Sequence, residues 1–187
     1  MNTLFKYILI FLIVANSAQS VPALAQVKNQ VDILLDSSQR FLSRDPQKSQ
    51  QYLQLVQQQI TDDDSVLQIK VFNNYGVSYY FKGAFDSSVY FYRQALDLIN
   101  KTEGKPDLAI TLKNLGISCS RLGLYNEALG YYLEALSLAQ KQNLTREIAS
   151  IYSSIGNVHF YNQSATEAKA FHHKSLQTWR KLKDDVR

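Results

Sequence analysis

Glycine stands at positions 76, 116 and 156, and around it a whole pattern of side chains returns with the same forty-residue step. Ala95, Ala135 and Ser175 keep that step, as do Gly83 and Gly123, with Gln163 at the third place. The aligned units read FNNYGVSYYFKGAFDSSVYFYRQAL from Phe72, LKNLGISCSRLGLYNEALGYYLEAL from Leu112 and YSSIGNVHFYNQSATEAKAFHHKSL from Tyr152. Small, aliphatic and aromatic residues fall in register three times. A fixed period of about 20–50 residues confines a chain to a repeat architecture, in which no unit buries its apolar face alone and each rests on its neighbours.

Within a unit the period changes to that of a helix. Leu108, Leu112, Leu115 and Cys119 step by three or four and make one helical face. Gly123-Leu124-Tyr125-Asn126 reads as a turn, with Asn126 placed to cap the second helix of the unit. Ala128, Leu129, Tyr132, Leu133, Leu136 and Ala139 give that second helix an apolar face. Gly104, Lys105, Pro106 and Asp107 break the chain before this unit, and Asn143 and Thr145 break it after. No two-residue alternation is sustained, so no sheet is expected. Gly and Ala let the two helices of a pair approach, and aromatics fill the wedge between them.

This arrangement resembles the tetratricopeptide repeat. The second unit matches with Leu112, Leu115-Gly116, Ala128, Tyr132 and Ala135, and Cys119 takes a tyrosine's place. The first matches with Phe72, Tyr75-Gly76, Tyr79, Tyr92 and Ala95, with Ser88 for the first alanine. The third matches with Tyr152, Ile155-Gly156 and Ala168, and departs at His159, His172 and Ser175. The family period is about 34. The forty here resembles a long-unit variety, the extra residues being expected in the second helix or its linker. HEAT and armadillo repeats share the period but lack this Gly and Ala placement. The resemblance implies an all-α fold, a right-handed superhelical solenoid of stacked antiparallel helix pairs. It also implies a non-catalytic scaffold that holds a protein or peptide segment in a concave groove lined by first helices.

In register, that groove falls on Lys70, Asn73, Asn74, Val77, Tyr80 and Phe81 in the first unit. In the second it falls on Ile110, Lys113, Asn114, Ile117 and Arg121. In the third it falls on Ser150, Ser153, Ser154, Asn157, Phe160 and Tyr161. Asn74 and Asn114 occupy equivalent places. An amide both donates and accepts, so a ladder of them holds an extended backbone without reading its sequence. Ser154 interrupts the ladder. Lys113 and Arg121 attract a carboxylate, and the aromatics either line apolar pockets or pack on the neighbouring unit.

The repeats divide as 67–104, 105–144 and 145–187. Residues 26–66 read as a degenerate N-terminal helical hairpin. Val31, Leu34, Leu35, Phe41 and Leu42 supply its apolar spacing, Asp45-Pro46 its turn, and a run of glutamines its solvated face. Residues 1–25 read as a secretory signal peptide: Lys6, the apolar run YILIFLIVA, then Ala23-Leu24-Ala25 as a small-x-small cleavage site. The run is shorter than the ~20 residues of a membrane-spanning helix, an uncleaved anchor being the other reading. The expected location is therefore outside the cytoplasm, periplasmic or extracellular.

Composition narrows the function further. With 45% hydrophobic residues the chain is no disordered tail, and its one cysteine excludes a disulfide framework or a cysteine zinc cluster. A net charge of +4 is too small for the basic patch of a nucleic-acid binder. No phosphate-cradling glycine loop, HExxH or GxSxG is present, so no catalytic residue, metal or cofactor is expected. Asp62-Asp63-Asp64 reads as a solvated linker whose carboxylates favour the start of the next helix. His159 and His172 are expected to face each other inside the third pair as packing, the sharper reading being a proton- or metal-sensitive pair without a third ligand. Cys119 reads as a buried, inert thiol. By register a further unit would open just after Arg187. Two expectations arise from that. One is the N-terminal sensory region of a longer bacterial signalling protein, of histidine-kinase or DNA-binding-regulator type, linked to a membrane through later parts. The other is a stack completed by self-association at an uncapped third unit.

Overall fold

The computed structural model describes residues 20–61, 63–105 and 107–184. The basic start and apolar run of the expected signal peptide lie outside them. Eight helices succeed one another: α1 (Ser20–Phe41), α2 (Pro46–Gln59), α3 (Ser65–Phe81), α4 (Phe85–Lys101), α5 (Leu108–Arg121), α6 (Tyr125–Lys141), α7 (Thr145–Tyr161) and α8 (Ala165–Asp184). Among the described residues there is no strand, and no helix is long and apolar enough to cross a membrane. The helices pair as four hairpins, α1/α2, α3/α4, α5/α6 and α7/α8, and each hairpin rests on the next.

Local chemistry explains the boundaries. Pro46 opens α2 behind Asp45, whose carboxylate accepts the Lys48 N–H at 3.0 Å. Asp64 does the same for α3, accepting the Leu67 N–H at 3.3 Å. The tight turns use another device. Gly83, Gly123, Asn143 and Gln163 all have positive φ. The residue after each sends its N–H back five places, as Leu124 does to the Cys119 carbonyl at 3.0 Å. This closes the spent helix in a Schellman motif. The same residue then caps the next helix, so Leu124, not Asn126, precedes α6, which begins at Tyr125. The backbone closure sets the start before any side-chain cap can act.

Between the second and third units the extra length is shared between both helices. α6 and α7 each have 17 residues, and three-residue turns, 142–144 and 162–164, separate them from the next helix. With such turns a period of about 34 leaves room for about 14 per helix. There nearly one turn is added to each helix, whereas between the first and second units the 17-residue α4 and the linker 102–107 take up the surplus, as expected, and α5 keeps 14 residues.

Close approach at three glycines sets the pairing. A Cβ on Gly76 would lie 2.7 Å from the Tyr92 ring, one on Gly116 2.7 Å from Tyr132, and one on Gly156 2.8 Å from His172. Ala95, Ala128, Ala135 and Ser88 are fully buried beside these contacts. The main core runs through the three units, from Ile69 and Tyr92 through Leu112, Leu115 and Tyr132 to Ile151 and Val158. A second cluster, Val31, Leu35, Leu53 and Val56 with Val71 and Tyr75 of α3, joins the N-terminal hairpin to the first unit. Each fully buried side chain of this size contributes roughly 1.5–3 kcal/mol.

Candidate binding surface

The backbones of successive first helices, α1, α3, α5 and α7, approach one another more closely than those of successive second helices. The stack therefore curves toward its first helices, and their shared face is the inner one.

Much of the polar chemistry expected on that face is used between units. The Asn74 amide is buried and donates to Ser38 Oγ of α1 at 3.4 Å. Asn114 lies beside the Tyr92 hydroxyl of the preceding unit, and Ser154, at the same register and donating to the Ser150 carbonyl at 3.1 Å, beside that of Tyr132. Burial holds both tyrosines well above the ordinary phenol range. Asn73 Oδ1 accepts the Thr111 hydroxyl at 3.0 Å. Lys113, half-buried, is paired with Glu147 of α7. Asn74 is thus spent on the preceding hairpin, Asn73 on the following one, and the carboxylate that Lys113 attracts is that of Glu147. A unit's first helix must satisfy the preceding unit's tyrosine hydroxyl, since a buried one without a partner is costly.

Other contacts, within hairpins and between them, carry no sequence signal beyond a small residue at a packing place. Ser88 Oγ donates to the Gly76 carbonyl at 2.7 Å and lies 2.8 Å from Ser118 Oγ. Ser175 Oγ donates to the Ala149 carbonyl at 2.7 Å. The serines that stand where the family places alanine are therefore helix–helix hydrogen bonds.

The part of the first helices that stays accessible is largely apolar and aromatic. Val77, Tyr80, Ile110, Ile117, Ser150 and Ser153 are half-buried, and Lys70, Arg121 and Asn157 are exposed. Phe81 is 51% exposed, Phe160 68% and Tyr161 57%. The ends of the first helices also touch the preceding second helix in one repeated way. The Arg121 guanidinium sits 5.0 Å over the Phe85 ring, and Tyr161 stacks on Tyr125 at 5.7 Å. Phe160 stands edge-on to Tyr161 and faces solvent.

The histidines do not meet as expected. His159 stacks flat on Phe171, centroids 5.4 Å apart, whereas His172 lies against Gly156. The backbone of Gly156 draws one ring in, and the half-buried Phe171 takes the other. Among the described residues no group of three or more His, Cys, Asp or Glu is placed to hold a metal ion. Cys119 is fully buried and its thiol is pushed up to about 11 by burial. A shallow cleft between α2 and α3 is lined by Gln57, Ile60, Gln68, Val71 and Phe72 and presents no ionisable side chain.

Two family models, each described as tetratricopeptide repeat, match residues 66–141 and 148–182. No curated protein matches the chain. Among solved structures it is similar to BtubC (BKLC) from P. vanneervenii, with TM-score 0.71 and 20% identity over 90% of this chain and 70% of that one. It is also similar to aspartyl phosphate phosphatase F from Bacillus subtilis, with TM-score 0.74 and 13% identity over 83% of this chain and 42% of that one. A third is the APC/C hetero-tetramer Cut9–Hcn1, with TM-score 0.61 and 22% identity over 71% of this chain and 24% of that one. At these identities the likeness is one of fold.

Proposed function

Because the chain belongs to the tetratricopeptide repeat family, a scaffold for protein–protein interaction, we propose that it is a non-catalytic adaptor that holds an extended peptide segment on its inner, first-helix face. The observation that carries this reading is the accessible set Phe81, Phe160 and Tyr161, set beside the exposed cations Lys70 and Arg121. Polar groups at the junctions are already satisfied, so recognition falls to apolar contact and charge. The ligand class is a segment with aromatic or large aliphatic side chains flanked by a carboxylate. Val77 and Ile117 form the floor beneath it. Residues 1–25 support export, and the adaptor acts outside the cytoplasm.

Selection of binders from a random peptide display library tests this. Peptides rich in aromatic and acidic residues should emerge, and should lose binding to Ile117→Asp and to Arg121→Glu. Peptides that bind both variants as well as the parent chain contradict the reading, as does a selection that yields none.

A further inference from the structure

The two internal junctions define what the outer face of a hairpin takes. On α4, Tyr92 is 2% exposed and Ile99 0%; on α6, Tyr132 is 1% and Ala139 0%. In each case the first helix of the following unit covers them, its own polar side chain meeting the tyrosine hydroxyl. The ion pairs across both junctions have one polarity. Arg93 meets Glu127 at 2.6 Å, and Lys113 meets Glu147. The cation lies on the earlier unit and the glutamate on the later.

On α8 the same register positions are His172, Leu176 and Trp179. His172 is exposed, Leu176 is 47% exposed and Trp179 44%. They form a stripe at steps of four and three along one helix face. Lys169, Arg180 and Lys183 flank it on the accessible side, all exposed. This face continues the internal junction, with a rim of exposed cations of its own, although the register positions of Arg93 and Lys113 are held here by His173 and Ser153.

We propose that the His172–Leu176–Trp179 face of α8 is a second docking surface, distinct from the inner groove, and that its occupant is an acidic amphipathic helix of a partner protein. Two observations select this occupant. The face is continuous with an interface that α5 and α7 fill elsewhere, which asks for a helix laid along α8. The exposed Lys169, Arg180 and Lys183 give the face a positive rim, and charge complementarity asks for glutamate on that helix. Trp179 stands where the internal units have Ile99 and Ala139, and a large aromatic at the centre of a desolvated patch is what dominates such interfaces.

Trp179 is the only tryptophan of the chain, so it reports directly. The probe is a helical peptide about 17 residues long, enough to span a face of this kind, with Leu and Ala on one side and Glu along its edges. It is titrated against the full chain, beside the same peptide with Lys for Glu. The Glu peptide should bind, shift Trp179 emission to the blue, and weaken as salt is raised. The Lys peptide should bind at least about tenfold more weakly. Leu176→Glu should weaken the Glu peptide by at least about tenfold with the circular dichroism spectrum unchanged, because the residue is exposed. The proposal is overturned if both peptides shift the emission alike, or if neither does. It is overturned equally by a concentration-dependent shift of the chain alone, which means a second copy covers the face. A shift with anionic vesicles but not with the Glu peptide also overturns it, and means a lipid surface.

Discussion

Two glycines of the same unit should respond to alanine in opposite directions. Gly116 of α5 faces the ring of Tyr132, and an added Cβ would sit 2.7 Å from Cε1, 2.9 Å from Cδ1 and 3.2 Å from the Ala128 carbonyl. Ordinary carbon contacts lie at about 3.5–4.0 Å, so the overlap is about 1 Å. Tyr132 is 1% exposed and has no space to swing into. Forcing the pair apart costs about 1–3 kcal/mol. Alanine returns about 1 kcal/mol of helix propensity, leaving a net loss of up to about 2 kcal/mol. Gly130, in α6, is exposed and meets nothing within 4 Å. Only the propensity gain remains there, so Gly130→Ala should stabilise by about 1 kcal/mol. Urea unfolding followed by circular dichroism reads both, midpoints being compared at unchanged slope. In a chain of this size 1 kcal/mol corresponds to about 2–4 °C in Tm. A midpoint raised by Gly116→Ala as by Gly130→Ala would refute the claim that Gly116 is a contact for Tyr132.

Three further outcomes are expected of the same structure. Gln163 holds φ at 60° where Gly83 and Gly123 serve the other units, so Gln163→Gly should raise the thermal midpoint by the equivalent of up to about 1 kcal/mol, and a lowered midpoint would count against the turn assignment. The Lys113–Glu147 pair is more shielded than Arg93–Glu127, so a double-mutant cycle should give it the larger coupling, the exposed pair staying below about 1 kcal/mol; the reverse order contradicts the junction's burial. Cys119 is held up at about 11 by burial. Its thiol is protonated in both states below about pH 9; above that the unfolded chain releases the proton while the folded chain keeps it. Stability should therefore fall as pH rises from about 9 toward 11, and Cys119→Ala should reduce that slope; an equal slope in both proteins would sink the assignment.

The repeat itself made much of this fold legible. Gly76, Gly116 and Gly156, paired with Tyr92, Tyr132 and His172 at one constant offset along the chain, mark the close approach that the structure displays. A period tells which residues are equivalent. It does not tell which neighbour each one meets. Asn74 and Asn114 are equivalent and polar, so a solvent-facing ladder is a consistent reading of the sequence, yet both turn toward the preceding hairpin. The buried tyrosine hydroxyls demand partners, and that demand exists only once the units are stacked. Ser88 and Ser175 look like departures from alanine and are hydrogen bonds to a facing backbone. The start of α6 lies ahead of the expected Asn126 because turn closure at Gly123 fixes the backbone first. The exposed aromatics Phe81, Phe160 and Tyr161 are among the groove positions read in register, and the structure leaves them accessible.

Hydrogen exchange of the chain with and without a display-selected peptide tests the central claim most directly. Exchange should slow along α3, α5 and α7, the first helices, with α4 and α6 unchanged. Protection centred on the second helices, with the first helices unaffected, would contradict it.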